Sequence, residues 1–187
     1  MNDIGYMHLD VKPSNFLVSH NGVLKICDFE LSKRTKDLQG EEYFEGDSKY
    51  LALEALSSNF KNSNTSYKVD VFSLGLSFAE ILFKIELPQS GILWERIRSD
   101  NFRFENEQLL NSNMKNNIDL HLIKLIYAMI HVNIDFRPTV DQIFERFNEL
   151  NIRNKKMLNN QYVRVFNPSA FLLIEDNMVG LLYLNFQ

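Results

Sequence analysis

Cysteine is almost missing from this 187-residue chain: Cys27 stands alone, so no intramolecular disulfide can form. Positive charge is also in deficit. Twenty Lys and Arg against 24 Asp and Glu leave a net charge of −4, which argues against general attraction to nucleic acid or an anionic membrane. No N-terminal stretch resembles a signal peptide, and together with the cysteine usage this predicts a nuclear or cytoplasmic protein. Long hydrophobic runs are lacking too. Residues 69–83 are interrupted by Glu80 and fall short of the roughly 20 that a membrane span needs, and 170–184 carry Glu175, Asp176 and Asn177 mid-run. No spanning helix is expected. The seven glycines are scattered, and no G-x-G-x-x-G phosphate loop occurs.

What remains has ordinary globular composition, 45% apolar and 24% charged, at a length that suits one domain and a tail. Residues 16–19 and 23–26 are apolar or β-branched runs flanking Asn21-Gly22, a favoured two-residue turn, and predict a β-hairpin. Polar stretches at 32–49, 59–66 and 101–117 read as loops or irregular chain. From Lys68, Val69, Phe72, Leu76, Ala79 and Phe83 recur at threes and fours and predict a helix buried on most faces, ended by Pro88 and Gly91. A short amphipathic helix is expected at 92–98 around Trp94, and another helix at 118–131 with Leu122, Leu125, Ile126 and Met129 on one face. A last helix follows Pro138, opened by a Thr139/Gln142 capping box and fading after Asn154. Residues 163–166, 171–174 and 181–184 read as short strands or an apolar docking tail.

The hairpin itself suggests chemistry. With a two-residue turn at 21–22 the numbers of paired residues sum to 43, so Asn15 is expected opposite Asp28, with Cβ atoms roughly 4.5–5.5 Å apart. An amide oxygen and a carboxylate suit magnesium, which keeps water and substrate phosphates in the rest of its shell. Asp10, five residues before Asn15, is a candidate proton acceptor for an attacking hydroxyl, and Lys12 a candidate to neutralise charge on a transferred phosphoryl group. Each residue alone is an ordinary turn or surface residue; the ordered set carries the signal.

HLDVKPSN (residues 8–15) followed by CDFE (27–30) resembles the protein-kinase signatures H-R-D-L-x-x-x-N and D-F-G. The resemblance implies that Asp10 is the catalytic base, that Lys12 approaches the γ-phosphate of ATP, that Asn15 and Asp28 hold magnesium, and that His8 is structural. It extends to about residue 150. LALEAL around Glu54 is similar to the A-P-E segment, DVFSLG (70–75) to the start of the central buried helix, and FRP places Arg137 where kinases pair an arginine with the A-P-E glutamate. A Glu54–Arg137 ion pair is therefore expected, with Asp70 bracing the catalytic loop through backbone hydrogen bonds and Trp94 packing. The fold implied is mainly α with a small β-hairpin: the C-terminal, helical lobe of the protein-kinase fold over 1–150, an apolar tail over 151–187, and no N-lobe in this chain. EGDSKYLALEAL (45–56), ELPQSGILWERIR (86–98) and MIHVNIDFRP (129–138) further resemble the Wee and Myt kinases, in which an apolar residue such as Leu9 replaces the arginine of H-R-D. That likeness implies ATP-dependent inhibitory phosphorylation of a cyclin-dependent kinase.

Two departures predict a chain inactive on its own. Only seven residues precede His8, leaving no room for a glycine-rich loop or the lysine and glutamate that position ATP. Glu30 stands where D-F-G has glycine, which removes backbone freedom and adds negative charge beside a phosphate site. The alternative to an inhibitory kinase is accordingly a pseudokinase that serves as a protein-binding module.

Overall fold

A computed structural model describes residues 5–20, 24–35, 45–56, 67–100, 102–107 and 119–159. Among these the chain is helix-rich with two small antiparallel strand pairs: β1 (Tyr6–Met7) with β4 (Lys33–Arg34), and β2 (Phe16–Val18) with β3 (Leu24–Ile26). The helices are α1 (Lys68–Phe83), α2 (Ile92–Ile97), α3 (Leu120–Met129) and α4 (Val140–Asn159). Short 3-10 turns occupy Pro13–Asn15, Leu53–Leu56, Phe104–Glu107 and Ile134–Phe136.

Helix α1 is central because it is apolar nearly all round, burying Val69, Phe72, Leu76, Ala79 and Phe83 as its spacing predicts. Its buried serines are satisfied internally. Ser77 Oγ donates to Ser73 O at 2.9 Å, and Ser73 Oγ to Val69 O at 3.2 Å and to Tyr50 O at 2.9 Å. The helix stops sooner than Pro88 and Gly91 suggest. Lys84 turns left-handed at φ 49° and its N–H bonds back to Glu80 O.

Helix α3 crosses α1 at Gly75, where a Cβ would lie 2.8 Å from both Met129 Cβ and Ile130 Cγ2. Only hydrogen at that position permits so close a crossing. Asp119 caps α3 by accepting from His121 N at 2.7 Å. Helix α4 begins with the expected box: Gln142 N donates to Thr139 Oγ1 at 3.2 Å and Thr139 N to Gln142 Oε1 at 2.8 Å. It sends Ile143, Phe147 and Leu150 into the main core, Phe147 meeting Phe78 edge-on, and it runs to Asn159, beyond the fading expected at 154.

The hairpin requires a correction. Phe16 pairs with Ile26, Leu17 with Lys25 and Val18 with Leu24, so the numbers sum to 42 and not 43. An even sum leaves an odd number of residues in the connection, which a two-residue turn cannot supply; odd loops are the next favoured hairpin class. Asn15 therefore faces Cys27, whose N–H donates to Asn15 O at 2.9 Å, and not Asp28. The turn at 21–22, the stretch 59–66, most of 101–117 and the tail strands at 163–184 lie outside the described residues. Within 32–49, otherwise expected as loop, the β4 pairing to β1 is an addition. No described helix is long and apolar enough to cross a membrane.

Candidate active site

A second, smaller core of Met7, Leu9, Leu51, Ala55 and Val69 lies beneath the segment that carries the candidate residues. Leu9 occupies the left-handed region at φ 67°, a strained conformation for a leucine. Asp70, in the first turn of α1, offsets that strain. Its Oδ2 accepts His8 N at 2.7 Å and its Oδ1 accepts Leu9 N at 2.8 Å, the bracing expected. Burial pushes the Asp70 carboxyl up, and the two backbone donors oppose that shift. Gly46 closes the segment from the far side: a Cβ there would fall 2.8 Å from Leu9 O.

His8 is buried and its ring is fully engaged. Nδ1 accepts from Asp10 N at 3.3 Å, which leaves Nε2 to donate to Cys27 O at 3.0 Å. The imidazole thus ties the loop to the end of the hairpin, a structural role, and Phe29 packs 5.0 Å away against it.

Three of the four candidates converge. Asp10 Oδ2 lies 2.8 Å from Lys12 Nζ and accepts from Asn15 Nδ2 at 2.8 Å; the same Nδ2 donates to Asp10 O at 2.8 Å. Asp10 and Asn15 are buried and Lys12 is partly exposed. The hydrogen bond to Asp10 raises the Lys12 ammonium pKa, with burial opposing and Asp10, Asp47 and Asp28 adding smaller electrostatic support. Asp28, exposed and left-handed at φ 65°, forms no hydrogen bond to the other three and joins them through its field on Lys12.

The donor set fits a hard divalent ion. With both amide hydrogens of Asn15 turned onto Asp10, its Oδ1 remains an oxygen donor, and Asp28 supplies an exposed carboxylate. Among the described residues no group of three or more His, Cys, Asp or Glu gathers as a metal cage. Glu30 is exposed, and positive φ falls on Asp28 instead of on Glu30, so glycine's backbone freedom is not required at position 30 in this conformation. The added charge is the objection that remains.

The Glu54–Arg137 pair forms as expected. Arg137 Nη1 binds Glu54 Oε1, Nη2 reaches Oε2 at 3.1 Å, and the buried guanidinium also donates to His131 O at 2.7 Å and Lys68 O at 3.1 Å. Sequence spacing did not single out Asp47, whose Oδ2 lies 4.0 Å from Lys12 Nζ, or Arg98, buried against the segment that carries it. Both lie within stretches quoted above, but their partners there are mainly backbone carbonyls and a loop lysine, which leave no spacing pattern. Trp94 packs as expected and donates Nε1–H to Ser48 O at 2.7 Å.

Residues 1–147 match the protein kinase domain family. The mitosis inhibitor protein kinase mik1 of Schizosaccharomyces pombe is 34% identical over 74% of this chain and 24% of its own length. The membrane-associated tyrosine- and threonine-specific cdc2-inhibitory kinase of Drosophila melanogaster is 28% identical over 85% of this chain and 28% of its own. The mitosis inhibitor protein kinase wee1 of S. pombe is 30% identical over 74% of this chain and 17% of its own. The chain thus spans less than a third of the length of each.

Proposed function

From the premise that the chain belongs to the protein kinase domain family and resembles its Wee and Myt members, we propose that it is the helical, C-terminal lobe of an inhibitory kinase acting on a cyclin-dependent kinase in the nucleus or cytoplasm. Residues 1–150 are the lobe and 151–187 a tail, the first residues of which, to Asn159, continue α4. The observation that carries the reading is the mutual contact of Asp10, Lys12 and Asn15, which gives each a distinct task.

Asp10 is the base for a substrate hydroxyl. Lys12 and Asn15 both bind its Oδ2, which fixes the carboxylate in direction and leaves Oδ1 outside those two contacts. Lys12, held by Asp10 but partly exposed, meets the transferred phosphoryl group with positive charge. Asn15 Oδ1 and Asp28 would hold magnesium, which bound with ATP neutralises phosphate charge. Positioning of this kind is worth about 7–11 kcal/mol in well-oriented reactions, so the network matters through its rigidity as much as its charges.

Nucleotide binding by the purified chain tests the site before any substrate is known. A fluorescent ATP analogue is expected to bind in a magnesium-dependent manner, Asp28→Asn to remove that dependence, and Asp10→Asn to retain binding. Indistinguishable magnesium responses of wild type and Asp28→Asn would reject the metal assignment. Phosphorylation of a cyclin-dependent kinase by this lobe joined to a nucleotide-positioning lobe, lost about 10²–10⁴-fold in Asp10→Asn, tests the reaction. The second reading, a pseudokinase binding module, is favoured by the exposed Glu30 beside Asp28. It gains if nucleotide fails to bind wild type but binds Glu30→Gly.

A further inference from the structure

Arg98 is 2% exposed, yet no carboxylate among the described residues contacts it. Its guanidinium is stacked 3.8 Å from the Trp94 ring centroid and 5.5 Å from that of Phe72, whose ring also lies 4.8 Å from the Arg137 guanidinium carbon. Among the described residues every hydrogen bond it makes goes to a backbone carbonyl: Nε to Leu51 O at 2.8 Å, Nη2 to Ser48 O and Lys49 O at 3.0 Å each, and Nη1 to Trp94 O at 3.2 Å. A charge buried this way is costly unless its dipolar cage is fixed.

The cage belongs to one turn. Ser48 O also accepts from Trp94 Nε1, Tyr50 O accepts from Ser73 Oγ at 2.9 Å, and Asp47 O accepts Tyr50 N and Leu51 N at 2.9 and 3.2 Å. Asp47 Oδ1 takes Lys49 N at 3.1 Å. Each carbonyl from 47 to 51 is therefore engaged, and from 49 to 51 every N–H and every carbonyl of the turn already has a partner. What it does present is Asp47 Oδ2, toward Lys12 Nζ at 4.0 Å.

We propose that Arg98 is a positioning residue for the candidate active site: by gripping the carbonyls of Ser48, Lys49 and Leu51 it holds Asp47 beside Lys12 and fixes the wall of the site that a substrate peptide would meet. Its consequence for substrate rests on the kinase reading. The placement of Asp47 does not, and it is tested without nucleotide.

The experiment is brief acylation of lysines in the full chain at neutral pH, with mass mapping of Lys12 relative to Lys25, an exposed lysine of β3. Arg98→Lys, which keeps the charge but not the planar fork, and Asp47→Asn are each expected to raise the Lys12/Lys25 ratio by about two- to threefold, the size expected of a partly exposed ion pair. The double variant is expected to match either single variant, because both remove the same contact. A merely structural Arg98 would lower the melting temperature and leave the ratio unchanged. An unchanged ratio in folded Arg98→Lys or in Asp47→Asn, or multiplied effects in the double variant, overturns the proposal. Should Arg98→Lys not fold, Trp94→Phe removes the second donor to Ser48 O. The same ratio decides: a rise supports the positioning, and a wild-type value overturns it.

Discussion

Arg98 and Arg137, both buried, differ in how they reach the same segment, and that difference decides which was legible. Arg137 binds a side chain, Glu54, so the pair has two letters at recognisable positions; Arg98 binds carbonyls, which every residue carries and no sequence marks. Asp70 was readable for the same reason as Glu54, through its place in a motif, DVFSLG, that resembles a kinase signature. The facing of Asn15 and Asp28 was misread because it was inferred from a turn, and the register proved even. For Arg137, partner removal should be asymmetric. Glu54 is partly exposed and can rehydrate, and without it Arg137 keeps its bonds to His131 O and Lys68 O. Without Arg137 those carbonyls lose their donor and the cavity stays open. Arg137→Ala is thus expected to cost about 3–5 kcal/mol and Glu54→Gln about 1–2 kcal/mol in urea unfolding. Equal losses, or the reverse order, would sink this account.

At the level of elements, the strongly periodic helices were legible because burial on several faces leaves a dense pattern, while their ends were set by backbone groups that compete locally. Lys84 illustrates the latter: its left-handed turn ends α1 although no glycine signals it. The pairing of β1 with β4 involves two residues on each strand, too few for a period-two pattern. The crossing of α1 and α3 was also invisible, because Gly75 within a helical run reads only as a weak helix former. In the structure it is the contact that lets the central helix meet α3. Gly75→Ala should gain helix propensity and still lose stability, since Met129 Cβ is fixed by its own helix and cannot withdraw. A net loss of about 1–3 kcal/mol is expected from overpacking. Thermal unfolding checks the sign: a higher melting temperature would show that the helices separate freely. Thr139→Ala, which removes one half of the capping box, should cost about 1 kcal/mol without altering the core.

Across the whole molecule, two tyrosine–carboxylate links connect elements distant in sequence. Tyr50 donates to Glu80 on α1, and Tyr127 on α3 donates to Glu105. Burial first, then the bond to a carboxylate, raises both phenol pKa values above the ordinary value of 10.0. The sign follows from proton binding. Below pH 10 both states keep these protons and the links contribute fully; above it the unfolded chain releases them while the folded chain does not, so stability falls as pH rises. Each tyrosine contributes a slope of at most about 1.4 kcal/mol per pH unit in that window. Lys12, also raised, acts in the same direction. Arg98, which burial lowers to about 9, acts in the opposite one, so the total slope alone does not isolate the tyrosines. A variant comparison does. Tyr50→Phe should be less stable than wild type at pH 8, having lost the bond to Glu80, but its urea midpoint should fall less steeply between pH 10 and 12. The two curves then converge on the alkaline side. Parallel curves would mean that Tyr50 ionises alike in both states, and that its link to Glu80 does not join the turn at 47–51 to the central helix as described.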